Sequence, residues 1–265
     1  MITIHTLAGT WADKWTGYPA DVARYLTEWN GVWAELQGLP ESEFHWNPVN
    51  YIASFGPVPP GSPDKPSYKQ SVQMGVDQCV ADIQAIPGKH ILVGYSQGAE
   101  VTGRVCLELI EGRLQDRLED CLLCIGIGDP TRQKHDETRG TGKGWGISGL
   151  EIPKSSIRRI SYATKGDIYC TTPDGETGQT MRAMYAALTE LQIHNPTELV
   201  GDMIKALSGD DKLLDQLAEL MTTPITSGIG IFDALIRLGE FASTSAHFRY
   251  HEWAVADAID IIAAL

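Results

Sequence analysis

Hydrophobic positions along this chain fall into two periods. Residues 1–7 alternate β-branched and other side chains, residues 90–93 and 157–163 form short apolar runs, and residues 120–128 form a nearly continuous one. Each predicts a strand, and an uninterrupted apolar run predicts one buried on both faces. Between them the spacing turns helical. Over residues 21–36, Val22, Tyr25, Leu26, Trp29, Val32, Trp33 and Leu36 recur on one face. Val72, Val76, Val80 and Ile83 do so over residues 67–86, where Pro87-Gly88 stops the helix. Residues 99–110 predict a third helix, and the aromatic segment 44–55 contains a short strand. Strands alternating with helices predict an α/β fold, its central and mostly parallel sheet covered on both faces.

The pattern changes at residue 178. Residues 181–191, 196–207, 210–221 and 229–241 all carry helical spacing with no strand signal between them. Pro196 and Pro224 stand where helix starts are expected, after Asn195 and Thr223. Residues 178–241 are therefore expected to be a helical insertion in a main domain made of residues 1–177 and 242–265. Residues 251–265 predict a closing amphipathic helix. The intervening loops are a small-residue stretch at 8–15 with Trp11 and Trp15, a proline-rich stretch at 57–66, and a glycine- and charge-rich surface loop at 135–149.

Composition narrows the function. The 265 residues are 43% hydrophobic with a net charge of −13, which suits a soluble domain with a sizeable core. That charge argues against nucleic-acid binding and against adhesion to anionic membranes, both of which need basic surface. The first residues lack a basic start and an apolar core of signal-peptide length, and no run is apolar enough for a membrane span. The chain is thus expected to be made without a signal peptide and not to insert stably into membrane. Five cysteines, an odd number, do not predict a full disulfide framework. Cys121 and Cys124 lie in an apolar run without a second ligand pair, so they are expected to be core thiols, and no metal or cofactor is implied.

The chemistry is carried by Gly94-Tyr95-Ser96-Gln97-Gly98, which joins a predicted strand directly to a predicted helix. That is the context of the G-x-S-x-G nucleophile elbow. Its glycines offer positive φ and no Cβ to clash, so the turn can lift the Ser96 hydroxyl towards a base and a substrate carbonyl. A serine hydroxyl is a weak nucleophile until a base takes its proton, and the base is usually oriented by a carboxylate. In this fold the acid and then the histidine follow the serine. Asp167, after the strand at 157–163, is the preferred acid. Asp129 also follows a strand but has an easy structural role in a Gly-Asp-Pro turn with Arg132 nearby, and Asp174 is a third candidate. Of seven histidines, His5, His90 and His194 lie in or beside regular elements, His45 in the aromatic segment, and His135 in a charged loop. Only His247 and His251 lie after the acid at the boundary before the last helix. His247 is preferred, because it falls in the loop where the triad order wants the base, while a protonated His251 near a helix start is disfavoured by the dipole, which suits a structural role. The oxyanion needs two donors. The backbone N–H of Gln97 is one, and the N–H of Thr10 is the second candidate, against the alternative that Gly9-Thr10 is a simple turn.

These residues resemble the lysin B esterases of bacteriophages that infect mycobacteria and related hosts. The resemblance spans most of the chain. It runs through Gly9-Thr10, residues 18–24, residues 71–76 and the elbow, then residues 128–134, Gly166-Asp167-Ile168-Tyr169 and His247. Gly-Tyr-Ser-Gln-Gly, Gly-Asp-x-Tyr-Cys and His-Phe-x-Tyr are also similar to the smaller cutinases. The resemblance implies a cutinase-like α/β-hydrolase with a helical insertion between acid and histidine; the apolar residues of that insertion are expected to serve partly as a wall for long acyl chains and partly as internal packing. It implies a monomeric serine esterase that releases mycolic acids from host arabinogalactan at the cell envelope during lysis, after synthesis in the host cytoplasm. Ser96, Asp167 and His247 match the family triad one by one. Cys170 matches a disulfide cysteine of cutinases, but no cysteine follows it here, so no bridge is expected.

Overall fold

The computed structural model describes residues 1–29, 43–56, 60–62, 64–189, 245–251 and 253–265. The helices expected at 196–207, 210–221 and 229–241, the end of the helix expected at 21–36, and His194 lie outside the described residues.

The fold is built on a six-stranded sheet, every pair of which runs parallel. In chain order the strands are β1 (Ile2–Leu7), β2 (Phe44–Pro48), β3 (Lys89–Tyr95), β4 (Cys121–Ile127), β5 (Glu137–Gly140) and β6 (Arg158–Ala163). Their order across the sheet is β2-β1-β3-β4-β6-β5. The helices are α1 (Tyr18–Arg24), α2 (Tyr68–Ala85), α3 (Gln97–Ile110), α4 (Glu176–Thr189) and α5 (Ala254–Ala263). This is the α/β-hydrolase class of architecture.

Strand alternation divides the core in two. On β3, Ile91 and Val93 point to one face and Leu92 to the other; on β4, Leu123 and Ile125 oppose Cys124. The first face packs against Val22 and Ala23 of α1 and Ala254, Ala258 and Ile262 of α5. The second packs against Val72, Val76 and Ile83 of α2 and Val101, Val105 and Leu109 of α3. Burying each such aliphatic side chain is worth about 1.5–3 kcal/mol, which is why these strands read as continuous apolar runs. A capping box starts α2: Gln70 N–H donates to Ser67 Oγ (3.2 Å) and Ser67 N–H to Gln70 Oε1 (3.1 Å). All five cysteines are buried free thiols.

One expectation is corrected. The stretch 135–149 is not wholly a surface loop, because β5 extends the sheet along β6. This strand lies at the edge of the sheet. Its Glu137 and Arg139 are only half-buried and pair with each other, and Glu137 also pairs with Arg158 of β6 (2.9 Å). Charges on an edge suppress intermolecular pairing but erase the apolar alternation that would announce a strand.

Candidate active site

The C-terminal ends of β3, β4 and β6 converge, as expected for a site on an open parallel sheet. At the end of β3, Ser96 takes φ 54° and ψ −119°, and α3 begins at the next residue. A non-glycine residue in this region is strained by a few kcal/mol and persists only where its surroundings hold it. Here Ser96 N–H donates to Ile127 O of β4 (2.9 Å), while Ser96 O accepts from the N–H groups of Ala99 and Glu100 (2.9 and 3.1 Å). The glycines act differently from the sequence reading. The positive φ falls on the serine, and Gly94 and Gly98 are required by close approach. A Cβ on Gly94 would lie 2.3 Å from Gly98 O, and one on Gly98 would lie 2.1 Å from Leu7 O.

His247 is brought in by a single 3-10 turn, Ser245–Phe248. Its Nδ1 lies 2.9 Å from Asp167 Oδ2, with both side chains buried. Its Nε2 is buried and has no hydrogen-bond partner among the described residues. That nitrogen is the one a triad directs at the nucleophile. Residues 127 and 128 link the two halves. Ile127 fixes the Ser96 backbone, and a Cβ on Gly128 (φ 56°) would fall 2.9 Å from His247 Cε1 and 3.0 Å from Asp167 Oδ2. Two tyrosine rings bracket the imidazole, Tyr95 at 5.1 Å and nearly parallel, and Tyr169 at 4.5 Å.

Asp167 is fully buried, which by itself would raise its pKa. The charge and hydrogen bond of His247, the Tyr250 hydroxyl and the Tyr169 N–H outweigh burial and hold it below the usual carboxylate value. The rival acids sit elsewhere. Asp129 accepts from Thr131 N–H and Oγ (both 2.7 Å) and faces the Arg159 guanidinium at 3.3 Å. Burial pushes its carboxyl up to about 6. Arg132, expected beside Asp129, sends its guanidinium instead to Cys170 O (2.8 Å) and so braces the loop that carries Asp167. Asp174 is exposed on Lys134 and the Trp145 indole N–H. His251 is exposed, as are His45 and His135. His5 and His90 form a buried pair in β1 and β3 (2.9 Å), and burial drives them down to about 3 and about 4.

The oxyanion candidates lie on either side of the elbow. Gln97 opens α3, where first-turn N–H groups have no intrahelical acceptor. Its side chain is fully buried and donates to Ser54 O (2.7 Å). Thr10 is half-buried in a turn closed by Ala12 N–H on Gly9 O (3.0 Å), so the simple-turn reading of Gly9-Thr10 is observed too. That turn abuts the elbow: a Cβ on Gly9 would touch the Tyr95 ring at 2.7 Å. Sequence reasoning about roles overlooked Gly128, Tyr95, Tyr169 and Tyr250. A signal was present for the three tyrosines, each within three residues of Ser96, Asp167 or His247, whereas Gly128 stands beside Asp129 and carried none.

No known family model matches the chain. Two curated proteins do. Endolysin B of Mycobacterium phage D29 is 28% identical over 238 residues, covering 83% of this chain and 80% of that protein. Endolysin B of Mycobacterium phage L5 is 28% identical over 243 residues, with the same coverage. Among solved structures, lysin B from Mycobacteriophage D29 superposes with a TM-score of 0.58 at 24% identity, covering 96% of this chain and 97% of that one. In sequence and in fold, this chain is similar to the mycobacteriophage endolysin B proteins, and its fold is of the α/β-hydrolase class.

Proposed function

We propose that this protein is a serine esterase that acts on the host envelope during phage lysis, cleaving the ester between mycolic acids and arabinogalactan. The observation that carries the esterase reading is the strained Ser96 at the head of α3 together with the buried His247–Asp167 pair (2.9 Å) at the same sheet edge. The similarity to the endolysin B proteins supports the lytic setting, and the mycolyl substrate follows from the resemblance of the motifs.

In this reading Ser96 Oγ attacks the ester carbonyl carbon as His247 Nε2 takes its proton. Asp167 holds the Nδ1–H tautomer and stabilises the imidazolium. The N–H groups of Gln97 and Thr10 receive the negative charge that forms on the carbonyl oxygen, a contribution of about 10²–10³ in rate for each such donor. Collapse breaks the ester C–O bond and the imidazolium returns the proton to the leaving alcohol, leaving an acyl-serine. Water repeats the sequence and releases the acid.

A fluorophosphonate probe is expected to label the wild-type protein and not Ser96→Ala. Absence of labelling, or labelling that survives in Ser96→Ala, would overturn the enzyme reading. Nitrophenyl esters of increasing chain length, assayed beside purified mycolyl-arabinogalactan, test the substrate. Release of mycolic acid is expected, whereas turnover confined to short soluble esters would leave a general cutinase-type esterase.

A further inference from the structure

The turn that delivers His247 is held by three tyrosine hydroxyls. Tyr18 donates to Phe248 O (2.8 Å), Tyr95 to His247 O (2.8 Å), and Tyr250 to Asp167 Oδ2 (2.5 Å). The first two fix backbone. The third reaches the carboxylate itself.

The direction of the Tyr250 bond is forced by its neighbours. Its oxygen lies 3.1 Å from the Thr164 N–H, which can only donate. The ionised Asp167 can only accept, so the single phenolic proton must point at Oδ2. Cys170 Sγ, 3.4 Å away, does not take that proton, and its own thiol has the Tyr250 oxygen and Asp167 O as acceptors. Asp167 Oδ2 thus receives two donors, His247 Nδ1 and Tyr250 Oη, while Oδ1 receives the Tyr169 N–H (3.1 Å). The carboxylate has no rotational freedom left, and a neutral donor shares the charge that the imidazole faces.

We propose that Tyr250 is a positioning residue of this active site, fixing the Asp167 oxygen on which His247 is aligned and setting how strongly that oxygen holds the imidazolium. The inference rests on the Ser96–His247–Asp167 reading. Among the described residues the other titratable groups around the pair are Tyr95 of β3 and Tyr169 and Cys170 of the acid loop, with the Arg132 guanidinium behind Cys170. Burial moves Tyr95, Tyr169, Cys170 and Tyr250 all upward, away from the neutral range.

The test is Tyr250→Phe, which keeps the ring and removes the hydroxyl. A hydrogen bond to a charged group predicts a loss of about tenfold in kcat, with KM unchanged because Tyr250 is aligned on Asp167 and not on substrate. Relieved of one donor, the carboxylate holds the imidazolium more tightly, so the acid limb of kcat moves up by about half a pH unit. Site-specific 3,5-difluorotyrosine at position 250 makes the phenol a stronger donor without emptying the site, and moves the limb downward. It also serves where Tyr250→Phe folds poorly. Cys170→Ala, which leaves the Tyr250–Asp167 bond intact, keeps the limb in place. A kcat within twofold of wild type with the limb unmoved in both Tyr250 variants would overturn the proposal, as would a rise in KM alone. Fluorophosphonate labelling of the wild type separates the two levels. A protein that does not label removes the esterase reading and Tyr250's role with it, whereas one that labels with an unmoved limb removes only the role of Tyr250.

Discussion

Asp129 and Asp167 are near twins. Each follows a glycine in the left-handed region (Gly128, φ 56°; Gly166, φ 88°) after one of two neighbouring strands, and each is buried. Their partners differ. Asp129 faces Arg159, a cation that never titrates, and is closed off by Thr131. Asp167 faces the imidazole of His247, whose far ring nitrogen has no hydrogen-bond partner among the described residues. Burial dominates at the first and raises it, whereas donors dominate at the second and lower it. Position at a strand end makes a carboxylate available; the group across from it decides whether it can serve acid–base chemistry.

The sharpest way to break the comparison is to neutralise each acid in turn. Asp167→Asn favours the wrong imidazole tautomer and is expected to lower kcat about 10³–10⁴-fold, judged by what this substitution does in other serine hydrolases. Asp129→Asn should leave ester hydrolysis within about threefold of wild type. Rates that fall in Asp129→Asn and hold in Asp167→Asn would exchange the two roles.

A smaller effect is expected from the cation. Arg159 also pairs with Asp136 (3.0 Å) inside the protein, so Arg159→Met strands two buried carboxylates. Removing one side of a buried ion pair costs about 3–5 kcal/mol, read as a fall in urea midpoint at neutral pH. The kcat of the folded fraction should not change.

The smallest effect is in pH dependence, and the two acids have opposite signs. Asp129 holds its proton more tightly folded (about 6) than unfolded. Its ionisation therefore erodes stability as pH rises from about 4 to about 6, by about 2 kcal/mol. Asp167 is depressed, so its contribution is complete above the ordinary carboxylate value and is lost as pH falls through the lower folded value. Urea titrations from pH 4 to pH 7 should show the stability of Asp129→Asn gaining on the wild type as pH rises. A constant difference would remove the linkage.

Local pattern carried much of this. The buried strands β3, β4 and β6 announce themselves because both faces are covered, and α2 because its stripe and its Ser67–Gln70 cap lie within one short segment. Edge strand β5 was silent because charged edges carry no apolar period. The elbow was legible as a motif, yet the reason for its glycines was not. Backbone from Leu7, some 90 residues away in the chain, decides what room Gly98 has.

The sequence by itself determined the parallel α/β framework and the strand–turn–helix motif around Ser96, with candidate acid and base in chain order after it, because these follow from periodicity and from residue type at fixed spacing. Only the tertiary structure placed Arg159 opposite Asp129 and His247 opposite Asp167, and only it brought Tyr250 onto Asp167 across 83 residues of chain. Which charge lies opposite a buried carboxylate is a long-range packing outcome. In a low-dielectric interior that neighbour, rather than the carboxylate itself, sets what the group can do.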